Sequence, residues 1–148
     1  MGNDMVPSPE VVTSIAVSTC SLAAAVIDLR TRRVPNVLTG AAGAIGVALA
    51  LTGTGRIGLA ASLVGGAIGF FLMMPGYLFG ATGGGDVKLL AAVGTLLGPD
   101  RILVAYFGMA IGGGLIALAI AAYRRRLRHE MFAYAPAIAI GAIFAVLR

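Results

Sequence analysis

Six apolar stretches of the chain are separated by short segments that are polar or rich in glycine. An α-helix needs about 20 apolar residues to cross the roughly 30 Å hydrocarbon core of a bilayer. The first, third and fifth stretches come close to that length, and the fourth is the shortest, so the pattern predicts an all-α, polytopic bundle of about six transmembrane helices. The stretches cover residues 11–29, 37–51, 57–79, 86–97, 102–123 and 132–147.

Breaks between the stretches fall where proline, glycine and arginine interrupt the apolar pattern. Pro9 suits the first turn of a helix, because the N–H that proline lacks would be unpaired there. The basic segment 30–33 ends the first stretch, and Pro35 is expected in the first turn of the second helix. The Gly-Pro-Asp-Arg sequence at 98–101 predicts a turn, and Pro75-Gly76 predicts that the third helix kinks or frays near its end.

The fourth stretch is short, since twelve residues rise only about 18 Å as a helix. The distribution of basic residues between the loops decides whether this stretch crosses the membrane. With six crossings and both termini outside, the inside loops hold eight of the eleven basic residues, as the positive-inside bias requires. These eight are Arg30, Arg32, Arg33, Lys88, Arg124, Arg125, Arg126 and Arg128, and the outside segments hold Arg56, Arg101 and Arg148.

Composition agrees with a membrane protein. Hydrophobic residues make up 59% of the 148 and charged residues 11%, whereas soluble domains carry about 25% charged residues. We therefore expect a single membrane-embedded domain, residues 1–148. The net charge of +5 reflects topology, and we expect no nucleic-acid partner. Small-residue spacings at Gly65/Gly69 and Gly108/Gly112 predict close helix packing.

Two acids stand against membrane spans on the predicted inner side. Asp28 ends the first stretch, and Asp86 follows three glycines at the start of the fourth. An ionised acid at the centre of a lipid-facing helix costs roughly 2.5 to 3.5 kcal/mol, so such residues usually face a polar interior. Taken alone, Asp28 also fits an ion pair with neighbouring arginines, and Asp86 also fits a helix cap.

Together, the two acids allow a specific chemistry. The topology drawn from the basic residues puts both at one edge of the membrane on different helices. Two adjacent carboxyls cannot both ionise cheaply, so they share one proton and titrate as a unit. Such a pair can activate a water and protonate a peptide carbonyl, which is the chemistry of aspartic proteolysis. Glycines beside it would allow tight turns and close approach of a substrate strand.

The motifs carry a family resemblance. Gly83-x-Gly85-Asp86 matches the GxGD motif of intramembrane-type aspartic proteases. Residues 28–36, Asp-Leu-Arg-Thr-Arg-Arg-Val-Pro-Asn, resemble the segment around the first aspartate of type IV prepilin peptidases, and residues 134–141 resemble the last helix of that family.

The resemblance implies a six-span peptidase of the bacterial or archaeal cytoplasmic membrane. It would remove the basic leader of type IV pilin or pseudopilin precursors at the cytoplasmic face, cutting after a glycine. Asp28 and Asp86 would be the catalytic pair, with no metal or organic cofactor. Larger members carry a further domain, often with paired cysteines, that is linked to methylation of the mature pilin. This sequence, whose one cysteine is Cys20, resembles the short form associated with tight-adherence (Flp-type) pili.

Further residues are candidates to support the pair. Lys88 would either bias its charge or bind lipid phosphate or solvent. Arg32 and Arg33 would meet an acidic residue near the cleavage site, or serve topology alone. Pro136 would unwind or kink the last helix beside the pair. The remaining support residues, from the two motifs, are Gly83, Gly85, Pro35 and Asn36.

Two other classes of function stay open at this point. A small transporter or ion-coupling subunit would use the same acids to bind a proton or cation near the membrane centre. A structural assembly subunit would only pair them with arginine. Cys20 and the lone loop residue His129 show no pattern of metal ligands, so we expect no metal site.

Overall fold

Helices account for most of the chain that the structure describes. The computed structural model describes residues 7–31, 34–123 and 135–147. No strand occurs within these ranges, which confirms the predicted all-helical fold. The helices are α1 (Pro9–Thr31), α2 (Asn36–Thr52), α3 (Leu59–Leu78), α4 (Gly84–Tyr123) and α5 (Ala135–Leu147).

The 40-residue helix α4 consists of two segments that meet at Gly98. This glycine has φ 76° and ψ 178°, far from helical values, and a positive φ is readily adopted only by glycine. The predicted break is therefore confirmed, but the predicted four-residue turn is wrong. Pro99 to Arg101 already belong to the second segment, because proline is compatible with the first turn of a helix.

By length and composition, three helical ranges could cross a membrane: Pro9–Thr31, Leu59–Leu78 and Gly84–Ile111, the last of which includes the break at Gly98. Two more apolar helical ranges, Asn36–Thr52 and Ala137–Leu147, are shorter. Large apolar side chains such as those of Phe71 and Val37 lie exposed on the outer surface, where lipid suits them. The protein is thus a membrane protein. The six crossings and both outside termini stay predictions, and the arginine-rich loop at 124–128 lies outside the described residues.

The core lies around α4, and glycines bring its neighbours close. Leu89, Leu90 and Val93 of the first segment and Ile102 of the second are fully buried in one cluster. Across from this cluster, a Cβ atom on Gly65 of α3 would collide with the backbone of α4. Backbone atoms also lie close to the Cβ positions of Gly69 and Gly108, which confirms close packing at these three glycines. The role of Gly112 stays a prediction.

Two arginines donate hydrogen bonds to carbonyl groups near the ends of helical segments. Arg56 Nη2 lies 3.3 Å from the carbonyl oxygen of Leu97, where the first segment of α4 stops. Arg101 Nη1 lies 3.2 Å from the carbonyl oxygen of Val146 in α5. Cations suit helix C-termini, because the carbonyls there lack partners and carry partial negative charge. These contacts lie at the end of the bundle opposite to Asp86.

The Arg56 contact gives a first prediction. Arg56→Gln is expected to lower the free energy of unfolding by about 1 kcal/mol, because it removes a charged donor from the carbonyl of Leu97. Thermal unfolding in detergent measures the loss. Arg56→Lys keeps the charge but not the planar guanidinium, so its stability should lie between those of the wild type and Arg56→Gln. An unchanged midpoint in Arg56→Gln would show that the contact contributes nothing.

Candidate active site

The two acids lie at the same end of the bundle and are both buried. Asp28 lies in the last turn of α1 and is 4% exposed, and Asp86 lies in the first turn of α4 and is 7% exposed. The two carboxyl groups are close enough for their charges to interact. The buried face of α1 that carries Asp28 also presents Ser21 and Ala24. The acids are therefore directed into the bundle and away from lipid.

A short loop holds the Asp86 side chain. The loop follows α3 and includes Gly80, whose φ of 71° requires glycine. The backbone N–H of Gly83 donates to Asp86 Oδ2 at 3.2 Å. The backbone N–H of Asp86 in turn donates to the Gly83 carbonyl at 3.1 Å. The predicted helix-cap role is therefore partly realised, since Asp86 fixes the loop that precedes its own helix.

The three consecutive glycines have different surroundings. A Cβ on Gly83 would lie 3.3 Å from Asp86 Oδ2, and one on Gly85 would lie 3.2 Å from Cβ of Val34. Both distances are tighter than ordinary side-chain contacts. A Cβ on Gly84 would meet ring carbons of Tyr77, the nearest at 3.4 Å, which is an ordinary van der Waals distance. Gly83 and Gly85, the two glycines of the GxGD motif, are thus the two at which an added Cβ atom would be crowded.

This difference predicts an ordered set of alanine variants. Gly83→Ala and Gly85→Ala should each lower the rate of any reaction at Asp86 about tenfold, because the added methyl displaces the carboxylate or the Val34 segment. Gly84→Ala should keep the wild-type rate and is the matched control. Rates come from a cleavage assay with each purified variant. Equal rates in all three would show that these contacts do not position the site.

The side chains of Lys88 and Asn36 link the beginnings of α4 and α2, at the end of the bundle that holds the two acids. Lys88 Nζ donates to Asn36 Oδ1 at 3.0 Å, and its side chain is otherwise exposed. Asn36 is the first residue of α2. The expectation that Pro35 lies in the first turn is wrong. Pro35 occupies the cap position with φ −62° and ψ 136°, and its carbonyl accepts from the N–H of Leu38.

Other predicted support residues are placed less fully. Arg32 and Arg33 lie outside the described residues, so their roles stay predictions. Pro136 lies in the first turn of α5. Among the described residues, no group of three or more histidine, cysteine or acidic side chains is arranged to hold a metal ion.

Sequence reasoning missed Val34 and Tyr77, which contact the glycine loop. Val34, which precedes α2 in the chain, is buried, and Tyr77 lies in the last turn of α3. A lone valine and a lone tyrosine near a helix end have no distinguishing pattern. Only the packing of the α1–α2 connection and the end of α3 against the loop reveals them.

Comparison with known proteins identifies the family. A model of the type IV leader peptidase family matches residues 15–146. The chain belongs to this family. It is also similar to a prepilin leader peptidase/N-methyltransferase of Bacillus subtilis (strain 168), with 36% identity over 89 residues. That alignment covers 59% of the chain and 36% of the relative, so the chain spans about a third of the length of the curated relative it matches. No solved structure matches the chain.

The family match confirms the resemblance seen in the sequence. Asp28, Asp86 and the glycine loop all lie within the residues that match the leader peptidase family. The roles of the two acids stay predictions, since the match gives a range of residues and not a site.

Proposed function

We propose that this leader peptidase family member is a single membrane-embedded domain, residues 1–148, that acts as an aspartic endopeptidase. Its substrates would be type IV prepilins of the Flp-like class, cut at the cytoplasmic face of the membrane. The observation that carries the proposal is the pair of buried acids, Asp28 and Asp86, on separate helices with interacting charges. Family membership supplies the class of substrate.

The proposed reaction uses the pair as acid and base. With one proton shared between Asp28 and Asp86, one carboxyl is ionised and the other is protonated. The ionised carboxylate takes a proton from a bound water, and that water attacks the carbonyl carbon of the scissile peptide. The protonated carboxyl donates to the carbonyl oxygen. Collapse of the tetrahedral intermediate breaks the C–N bond, and a proton passes to the leaving amine.

The location of the pair supports a substrate cut at the beginning of an apolar helix. Asp28 lies in the last turn of α1 and Asp86 in the first turn of α4, so both are near helix ends. A leader that stays in the aqueous phase and an apolar helix that stays in lipid would meet at this level.

The transporter alternative has less support. A coupling acid is expected near the membrane centre, where access can alternate between the two faces. Both acids instead lie in terminal turns of their helices. No described charged side chain lies buried midway along a helix.

A reconstituted cleavage assay tests the proposal. The purified chain is placed in liposomes with a synthetic precursor that has a basic leader, a glycine and an apolar helix. Mass spectrometry of the products is expected to show one cut directly after the glycine. A precursor with that glycine replaced by a bulky residue is the control and should remain intact. Intact wild-type precursor, together with acid-dependent proton flux across the liposomes, would favour the transporter.

A further inference from the structure

A groove lies between α2 and α3, with the first segment of α4 as its floor. Its volume is about 530 Å³, within the roughly 300 to 1,000 Å³ of typical small-molecule sites. Asn36 and Lys88 stand at one end, and Val47 and Thr95 lie towards the other. The groove is open along one side. It lies on the face of α4 opposite to Asp86, because Lys88 follows Asp86 by two residues and two residues turn an α-helix by about half a turn.

The length of the groove corresponds to one leaflet. On α2 it extends from Asn36 to Val47, which at 1.5 Å per residue is about 16 Å. The hydrocarbon core of a bilayer is about 30 Å thick. A transmembrane helix of a partner would need a groove of nearly twice this length, whereas an acyl chain of a single leaflet matches it.

The polar groups along the groove are arranged for an anion at one end only. Lys88 is the charged residue among those that line it, and no acid lines it. Deeper in, the hydroxyl groups of Thr39 and Thr95 donate to backbone carbonyls of their own helices, at 3.1 and 2.7 Å. Because those donors are already used, the groove beyond its mouth is apolar to a ligand.

The groove is not filled by the described part of this chain. A Cβ atom added to Gly40, which lines it on α2, would meet nothing within 4 Å. Helix packing explains a glycine where backbones touch, as at Gly66, whose added Cβ would collide with the Thr95 side chain. Such packing does not explain the open space above Gly40.

We propose that this groove binds an anionic phospholipid from the leaflet on the Asp86 side. The phosphate is held by Lys88 with the Asn36 side chain beside it, and one acyl chain lies along the groove over Gly40. The bound lipid braces the first turn of α4 from the side opposite to Asp86. The proposal does not depend on peptidase activity, because it concerns binding alone.

Native mass spectrometry of the purified full chain tests the proposal, with phosphatidylglycerol and diacylglycerol of the same acyl chains as probes. Lys88→Gln is expected to weaken phosphatidylglycerol binding about fivefold, the effect of one basic residue near an anionic headgroup. Its binding of diacylglycerol should not change. Gly40→Leu, which fills the groove, should remove the one-to-one complex with both lipids. Glycerol phosphate without acyl chains should not compete.

Two control variants separate this site from general contact with lipid. Ala41→Leu adds the same side chain one residue along α2, on an exposed position outside the groove, and Arg30→Gln removes an exposed cation at the end of α1. Both should bind phosphatidylglycerol as the wild type does. Gly40→Leu binding like Ala41→Leu, or Lys88→Gln binding like Arg30→Gln, would overturn the proposal. So would a Gly40→Leu variant that keeps its lipid but loses precursor cleavage, since the occupant would then be the substrate helix.

Discussion

Asp28→Asn and Asp86→Asn are each expected to lower precursor cleavage by about 10³-fold or more, without loss of folding. Asparagine keeps the size of the side chain but can neither take a proton from water nor return one to the substrate. Because both acids must act in the same step, either single variant should be nearly as inactive as the double variant. The fraction of cleaved precursor, measured by mass spectrometry on the purified variants, gives the effect.

Stability separates a catalytic role from a structural one. The buried pair shares one proton and carries one negative charge, which either single variant can keep on its remaining carboxyl, so the thermal midpoint should stay close to that of the wild type. An ion pair with a neighbouring arginine would instead make the midpoint fall, because asparagine removes the charge that the arginine needs. Glu10→Gln and Asp100→Asn remove exposed acids elsewhere and serve as matched controls with wild-type cleavage. Full cleavage by either Asp28→Asn or Asp86→Asn would exclude the paired-acid mechanism.

Local chemistry made several boundaries predictable from the sequence. Pro9 and the basic segment after residue 29 predicted the first helix, which spans Pro9–Thr31. Gly98 followed by Pro99 predicted the interruption of α4. Proline lacks an N–H and glycine tolerates positive φ, so these residues begin or interrupt a helix whatever surrounds them. The error in the predicted turn arose because Pro99 to Arg101 are equally suited to a first helical turn.

The common level of the two acids was also predictable, but their orientation was not. Charge asymmetry between loops gave each helix a direction, and the directions put Asp28 and Asp86 at one end. Which face of α1 is buried depends on packing, and a helix that is apolar all round gives no contrast between its faces. The structure supplies that information by burying Ser21, Ala24 and Asp28 on one side.

The groove beside Lys88 lay beyond sequence reasoning for the same reason. Its existence depends on the space left between α2 and α3 when both pack on α4. Glycine and alanine residues line it, and the same residue types line the tight contacts elsewhere in the bundle. Sequence therefore cannot tell the open position at Gly40 from the closed one at Gly65.

The closed positions give the second large prediction, which concerns stability. Gly65→Ala and Gly94→Ala are each expected to lower the free energy of unfolding by about 3 kcal/mol, the upper range for overpacking. A Cβ on Gly65 would lie 2.7 Å from Cα of Gly98, and one on Gly94 would lie 2.7 Å from the carbonyl carbon of Gly65. These are backbone atoms, which cannot move aside as a flexible side chain can. Thermal unfolding in detergent measures the loss.

Gly40→Ala is the matched control for these variants, because the added methyl meets nothing within 4 Å. It should be neutral or slightly stabilising, since alanine favours a helix by about 1 kcal/mol over glycine. The seam between α3 and α4 also leads into the glycine loop before Asp86. A forced separation at Gly94 should therefore lower cleavage as well as stability, whereas Gly40→Ala should lower neither. Equal midpoints for Gly94→Ala and Gly40→Ala would mean that the α3–α4 seam is looser than its backbone contacts imply.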